Sequence, residues 1–296
     1  MFQKLVAVEQ LNLVPHANEE IAKRALEYVH YEDIPETEEV IWRAKDADAI
    51  LVNLTTQITA NIIEHCPKLR YIGKCCSLYD ENSASVDIRC ARKHNIIVKG
   101  VNDYGDTGVG EYVVAELSSL LHGFHGKRWD ERSFELTGFP VGIIGMGATG
   151  KTVAKALHFF GADLTYYSRS RKPEIEEMGI SYMPLDALLE KNYCICTCLN
   201  KFVTLLNEPE FEKLGNHKIL FNTGLTPASD LNALKQWLSH GDNYYYCDSN
   251  MALGDQSLRD YEHVSCFGGY SGGSYQAIER LTEKTIQNMD AFLKED

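Results

Sequence analysis

No apolar run in the sequence approaches the length needed to span a membrane. Basic charge is also short. The 29 Lys and Arg stand against 42 Asp and Glu, for a formal net charge of −13. That balance argues against nucleic acid or an anionic membrane as a general partner. Internal repeats and low-complexity tracts are missing. Cysteine is not scarce, with nine in the chain, but none forms a Cys-x-x-Cys pair with a His partner at zinc spacing. Cys75 and Cys76 are adjacent. Cys194, Cys196 and Cys198 alternate along an apparent strand and so share a face. Small buried hydrophobes in a cytosolic protein are the expectation, with no metal. The opening MFQKLVAVEQLNLVPHANEE reads as strand, loop and helix, not as a signal peptide, so a cytoplasmic location is expected.

What remains is ordinary globular composition, 44% hydrophobic and 24% charged. At 296 residues the chain is too long for one small core and suits two domains. Strand and helix signals alternate from the start. Lys4 to Gln10 reads as a strand and Ala17 to His30 as one helix. Thr37 to Lys45 is a helix, Ala49 to Asn53 a strand, Thr59 to Cys66 a helix that Pro67 ends, and Arg70 to Lys74 a strand. Asp87 to His94 is helical and Ile96 to Lys99 extended. Val101 to Gly110 reads as a glycine-rich connection and Glu111 to His122 as a long apolar helix that crosses between domains. Later strands are read at Val141, Leu164 to Tyr167, Ile180 to Met183, Asn192 to Cys198, Lys218 to Asn222, Tyr244 to Asp248 and His263 to Phe267. Ala228 to Leu238 reads as a helix, and Ser274 to Lys294 as a long terminal one. This alternation predicts α/β architecture with parallel sheets.

The most informative stretch is VGIIGMGATG, Val141 to Gly150. A near-continuous apolar run reads as a buried strand. Gly145-Met-Gly147-Ala148-Thr149-Gly150 follows, then an amphipathic helix with Val153, Ala154, Ala156, Leu157 and Phe160. Gly-x-Gly-x-x-Gly between strand and helix is the dinucleotide-binding pattern. Gly145 makes the tight turn, Gly147 lets backbone approach a pyrophosphate, and Gly150 lets the helix pack closely. Free amides at the helix start favour the phosphates.

With these elements placed, the chain resembles the D-isomer-specific 2-hydroxyacid dehydrogenase family, in order and nearly end to end. The matching segments are LTTQITANIIEHCPKLRYIGKCC, VNDYGDTGVGEYVVAE, VGIIGMGATGKTVAKALHFFGADLTYYSRS, KILFNTG, YYYCDSN and HVSCFGGYSGG. The resemblance implies two Rossmann-like, doubly wound parallel-sheet domains. A flavodoxin-like substrate domain, residues 1–106 and 270–296, would hold an inserted NAD(P)-binding Rossmann domain, residues 107–269, with the active site in the cleft. It implies that Thr223, Gly224 and Asp248 line the nicotinamide side. Cys198 and Leu199 would pass under the adenosine half. It also implies a small-molecule substrate or nucleotide as the only partner besides a second copy in a homodimer. The linker before Val141 is shorter than the family's, so the dimer interface is expected to differ. The loop CCSLYDENSAS is bulkier and longer than the family's glycine-rich carboxylate-binding loop.

The residue ending the strand Leu164 to Tyr167 selects the cofactor. An Asp or Glu there binds the ribose 2′-hydroxyl and selects NAD. Here Ser168 stands in that place, followed by Arg169, Ser170, Arg171 and Lys172. A serine and guanidinium groups can donate to a 2′-phosphate. NADP(H) is therefore favoured, with Ser168, Arg169 and Ser170 as its contacts, and NAD(H) is possible.

The family's catalytic groups are an Arg that grips the substrate, a His that donates the proton and a Glu that orients the His. By the resemblance, Leu225 stands at the Arg position, Leu253 at the Glu position and Gly269 at the His position. Two leucines and a glycine are expected to leave an apolar cleft with no orphan charge. His263 is too far from the His position to restore it. Tyr270, beside that position with Ser271 and Ser274, is the candidate proton donor, since a phenol can act as an acid. Lys74, Cys76, Ser77, Tyr79 and Tyr104 are expected on the opposite wall of the cleft. Two readings follow: a reductase of an unidentified carbonyl that uses other groups, or a catalytically inactive NADPH-binding sensor or partner protein. A scaffold without ligand would leave the phosphate loop unexplained.

Overall fold

The computed structural model describes residues 1–81 and 84–295. The chain divides into two compact units, Met1–Tyr104 with Ser274–Asp296, and Gly105–Gly273.

The first unit runs β1 (Phe2–Ala7), α1 (Ala17–Ala22), β2 (Ala25–His30), α2 (Thr37–Ala44), β3 (Ala49–Val52), α3 (Ala60–Glu64), β4 (Tyr71–Lys74), α4 (Ile88–Lys93) and β5 (Ile97–Lys99). Its five strands are parallel, in the order β2-β1-β3-β4-β5. This is the flavodoxin-like doubly wound order. Every residue of β3 and β4 is buried, because helices cover both faces of a parallel sheet. One face packs Val6, Ile50, Val52 and Ile72 with Val40 and Ile62. The other packs Leu5, Leu51 and Tyr71 with residues of the terminal helix.

One expected element is overturned here. Ala17 to His30 is not one helix. The helix stops at Ala22, and Ala25–His30 is an edge strand paired with β1. The segment ALEYVH has ample helix formers, but pairing along β1 decides its conformation, as tertiary context often does for short strands. Arg24 secures the turn, donating through Nη1 to the Glu20 carbonyl at 2.5 Å and through Nε to Asp290 at 2.8 Å.

The second unit opens with α5 (Asp106–His122) and continues with β6 (Pro140–Ile144), α6 (Ala148–Phe159), β7 (Asp163–Tyr167), α7 (Pro173–Glu176), β8 (Ser181–Tyr182), α8 (Leu185–Lys191) and β9 (Cys194–Thr197). It ends with α9 (Glu208–Leu214), β10 (Ile219–Asn222), α10 (Leu231–Leu238), β11 (Tyr244–Cys247), α11 (Asn250–Leu253), a 3-10 turn (Gln256–Asp260) and β12 (Val264–Cys266). The chain then returns to the first unit as α12 (Tyr275–Glu295). The seven strands are parallel, in the order β12-β11-β10-β9-β6-β7-β8. The order reverses between β6 and β9, which creates the topological switch point where such sheets bind ligands. Cys194 and Cys196 pack into one face of the sheet and Ile195 into the other, as strand alternation requires. No group of His, Cys, Asp or Glu suited to a metal occurs among the described residues.

A second expectation is corrected at α5. The glycine-rich stretch before Glu111 is not wholly a connection, since the helix begins at Asp106. Gly108 and Gly110 lie inside it as contact points. A Cβ on Gly108 would stand 2.1 Å from the Ser271 carbonyl oxygen, and one on Gly110 would stand 3.2 Å from Thr152 Cγ2 on α6. These glycines permit close packing and do not break the helix.

Candidate functional site

The phosphate loop lies where β6 gives way to α6. Gly145 takes φ +95°, and its N–H donates to the Tyr167 carbonyl at 2.8 Å. A Cβ there would stand 2.4 Å from the Cys198 carbonyl oxygen, so only glycine combines this φ with this approach. A Cβ on Gly150 would stand 1.9 Å from the Gly145 carbonyl oxygen. Gly150 thus seats the helix on the turn itself. Gly147 differs from both: a Cβ on it would meet nothing within 4 Å. Its open side is where a ligand can approach the backbone.

Gly147 is the N-cap of α6 and contributes no side-chain cap. The first amides of the helix, at Ala148, Thr149 and Gly150, have no intrahelical acceptor. They carry the positive end of a 12-residue helix. Beside them the Thr149 hydroxyl donates to the Asp106 carboxylate at 2.6 Å. Asp106 is a neighbour the sequence reading missed. Its signal was an acidic residue at a helix start, hidden because the start itself was misplaced.

The next parallel strands bring their C-terminal loops to the same end. Cys198 N–H donates to the Ile144 carbonyl at 2.7 Å. Burial pushes the Cys198 thiol up to about 12, so it stays protonated near neutrality. The Thr223 hydroxyl donates to the Thr197 carbonyl at 2.9 Å and lies 3.2 Å from the Cys198 sulfur. Gly224 sits against Leu199, whose carbonyl oxygen would be 3.0 Å from a Cβ. Asn222, buried at the end of β10, ties these loops together. Its Nδ2 donates to the Thr226 and Ala252 carbonyls, both at 3.1 Å, and its Oδ1 accepts from the Gly224 N–H at 3.2 Å. Asp248, next after β11, is buried, and its Oδ2 accepts from Ser271 N–H at 2.9 Å and Ser271 Oγ at 2.6 Å.

At the end of β7, Ser168 Oγ donates to the Ser170 carbonyl at 2.5 Å. Arg169 is exposed, and no ion pair or hydrogen bond engages its guanidinium among the described residues. Arg171 is committed elsewhere. It pairs with Glu176 and lies over the Tyr182 ring. Hydrogen bonds from Arg171 and then Tyr166 hold the Glu176 carboxyl down at about 2. Lys172 Nζ donates to Ser170 Oγ at 3.2 Å. The basic run therefore presents Arg169, with Lys172 beside Ser170.

The three positions read as replaced do not form one apolar wall. Leu253 is 0% exposed and packs with Ala252, Tyr245 and Leu258 inside the second unit. It faces a core and not an open cleft, which corrects the expectation. Leu225 is half-buried. A Cβ on Gly269 would collide with the Phe267 ring at 2.4 Å, although that ring is exposed. His263 stacks on Tyr244 with centroids 4.2 Å apart, at the N-terminal end of its strand and away from these loops. Tyr270 is 49% exposed, and no Lys or Arg bonds to its hydroxyl among the described residues. In the first unit, Lys74 is 2% exposed and its Nζ donates to Ser85 Oγ. Cys76 is buried, Ser77 half-buried and Tyr79 exposed. Of these loop residues expected at a cleft, only Ser77 and Tyr79 present side-chain surface; Asn82 and Ser83 of the same loop lie outside the described residues. Tyr104 is half-buried, and its carbonyl accepts from Arg280 Nε at 2.8 Å.

The burial of Leu253 has a measurable consequence. The Leu253→Glu variant puts a carboxyl into a core with no partner, at a cost of about 3 kcal/mol or more. At about 2–4 °C per kcal/mol, the melting temperature should fall by roughly 6 °C or more. An unchanged thermal midpoint would show that this position opens to solvent.

A nicotinamide nucleotide suits this donor set. Uncapped helix amides, an open N-cap glycine and an uncommitted Arg at the end of the second strand match its pyrophosphate and ribose. A family model described as D-isomer specific 2-hydroxyacid dehydrogenase, NAD binding domain, matches residues 114–249. A glyoxylate reductase of Aeropyrum pernix is 29% identical over 228 residues, covering 70% of this chain and 67% of the relative. A hydroxypyruvate reductase of Blautia hydrogenotrophica is 25% identical over 284 residues, covering 88% and 87%. Among solved structures, an acyclic imino acid reductase in complex with NADPH and D-Arg superposes with a TM-score of 0.84 at 21% identity, covering 99% of this chain and 98% of that one. Over residues 114–249, just under half of its length, the chain is similar to the NAD binding domain of the D-isomer specific 2-hydroxyacid dehydrogenase family.

Proposed function

We propose that this chain is an NADP(H)-preferring reductase of a carbonyl substrate that works without the family's Arg, Glu and His. The observation that carries the cofactor reading is the pairing of an open phosphate loop with Ser168 and the uncommitted Arg169. The amides of Ala148, Thr149 and Gly150 hold the pyrophosphate. Ser168, Arg169 and Ser170 hold the 2′-phosphate, Arg169 through a planar fork of donors. Cys198 and Leu199 lie beneath the adenosine half. Thr223, Gly224 and Asp248 flank the nicotinamide. When bound, the cofactor supplies the hydride. The chain must then orient the carbonyl and deliver a proton, and the Tyr270 hydroxyl is the donor assigned to that step.

A second reading has its own support. Leu225, Leu253 and Gly269 carry no titratable group, so the chain in this reading binds NADPH and turns nothing over. Following NADPH absorbance against 2-keto acids, aldehydes and quinones separates the two. Consumption with any class supports the reductase; tight NADPH binding with no consumption supports the sensor.

Cofactor choice gives a sharper expectation. In the Ser168→Asp variant a carboxylate faces the 2′-phosphate. NADPH affinity should fall roughly 10- to 100-fold, about 1.4–2.8 kcal/mol, while NADH affinity holds or improves. Equal weakening of both nucleotides in a fluorescence titration would remove Ser168 from the 2′-phosphate site.

A further inference from the structure

Two thiols at the edge of the second sheet take no part in the chemistry proposed above. Cys247 ends β11, Cys266 ends β12, and the two are direct partners in the parallel register. Neighbouring strands lie about 4.7–4.9 Å apart, within the Cα separation of about 4.4–6.8 Å that a disulfide spans. Both side chains belong to the same face. Cys247 is inside the cluster of Ile144, Ile195 and Leu220, and Cys266 packs against it. Their exposure differs: Cys247 is buried and Cys266 half-buried, on the outermost strand of the sheet. Arg259, from the 3-10 turn, braces Cys266. Its Nη2 lies 3.3 Å from the Cys266 sulfur, and its Nη1 donates to the Cys266 carbonyl at 2.8 Å. Arg259 is itself held by Asn250 Oδ1 at 2.8 Å and Gln256 Oε1 at 3.1 Å. A guanidinium N–H at a sulfur stabilises the negative charge with which a thiol attacks.

The other cysteines lack this combination. Cys66, Cys75, Cys76, Cys90, Cys194 and Cys196 are buried. Cys198 is half-buried, but burial holds its thiol protonated.

We propose that Cys266 and Cys247 form a peroxide-oxidisable dithiol, with Cys266 the attacking sulfur and Cys247 the resolving one. The Cys266 sulfur attacks one oxygen of hydrogen peroxide and the O–O bond breaks. The departing hydroxide takes up the thiol proton as water. Cys266 is now a sulfenic acid, oxidised by two electrons, and the peroxide is reduced. The Cys247 thiol then attacks the Cys266 sulfur, the S–O bond breaks, and a second water leaves with the Cys247 proton. The balance is two thiols and one peroxide to one disulfide and two waters. Burial of Cys247 raises its thiol well above the ordinary range. The second step is therefore expected to be the slower one.

The test uses the full chain. The protein is treated with a small excess of hydrogen peroxide, the remaining thiols are alkylated, and intact mass and peptide maps are recorded. A mass loss of two hydrogens before alkylation is expected, with a Cys247–Cys266 linked peptide in the map after it that dithiothreitol releases. Cys247→Ser should stop the reaction at a sulfenic acid on Cys266 that dimedone traps. Arg259→Gln should slow the first step roughly tenfold. Absence of the linked peptide from the wild-type chain overturns the proposal. So does dimedone labelling of another cysteine ahead of Cys266. Neither result depends on nucleotide binding, so this proposal and the functional one stand or fall separately.

Discussion

The Gly147→Val chain is expected to fold almost as well as the natural one and to lose nucleotide binding. Gly147 has φ −82° and ψ −159°, an extended conformation open to any residue. A Cβ there meets no protein atom within 4 Å. The main folding cost is a poorer N-cap, about 1 kcal/mol, or about 2–4 °C in the melting temperature. The valine side chain, however, occupies the space through which a pyrophosphate reaches the first amides of α6. Loss of two such charge-assisted hydrogen bonds, at about 1.5–3 kcal/mol each, corresponds to at least a roughly 100-fold rise in Kd for NADPH. Gly150→Val serves as the contrast. Its Cβ would stand 1.9 Å from a backbone oxygen, so it should lose stability along with binding. Calorimetric melting and NADPH titration of both variants check the pair. Tight NADPH binding by Gly147→Val would move the phosphates to another part of the molecule.

The second large expectation concerns small 2-keto acids. Reduction of glyoxylate and hydroxypyruvate with NADPH should fall well below the ordinary enzyme range of about 10⁴ M⁻¹s⁻¹. Leu225 offers no cation to a substrate carboxylate, and an unpaired buried carboxylate costs several kcal/mol. Gly269 offers no acid, and loss of a general acid typically slows a reaction about 10²–10⁴-fold. Both penalties fall on the same step. Leu253, packed into the core of its unit, has no carboxylate with which to orient an imidazole. Restoring one group alone, as in Gly269→His, should recover little, because residues of such a site act as a unit. Steady-state kinetics with both acids is the measurement. A kcat/KM near 10⁴ M⁻¹s⁻¹ or above would place the catalytic groups on residues other than those assigned.

The parts of the fold legible in the sequence were those with a local physical signature. VGIIGMGATG combines a buried strand, a turn that only glycine can make and a helix start, and the chain folds there as those features require. The alternation of strands and helices likewise led to two parallel sheets. Failures came where distant partners decide. Ala25–His30 is extended because β1 offers it an edge, and nothing within ALEYVH announces that. The glycines of GDTGVG look like a break but lie in α5, where they admit Ser271 and α6. The place of Ser168 and Arg169, just past the strand that follows the glycine loop, was readable from their spacing, and they do follow β7. That Arg171 is taken up by Glu176 while Arg169 is not depends on α7, a four-residue helix too short to leave a periodic signal. Leu253 could be placed at the Glu position by resemblance, but its burial depends on packing against β11 and the 3-10 turn.

With its open phosphate loop and its Ser168–Arg169 turn, this chain is expected to bind NADPH in preference to NADH. Paired isothermal titrations of the full chain with the two nucleotides, at one pH and one ionic strength, test it most directly. Saturable one-site binding of NADPH is expected, at least roughly tenfold tighter than NADH, a difference of about 1.4 kcal/mol. Tighter binding of NADH, or no binding of either nucleotide, would contradict it.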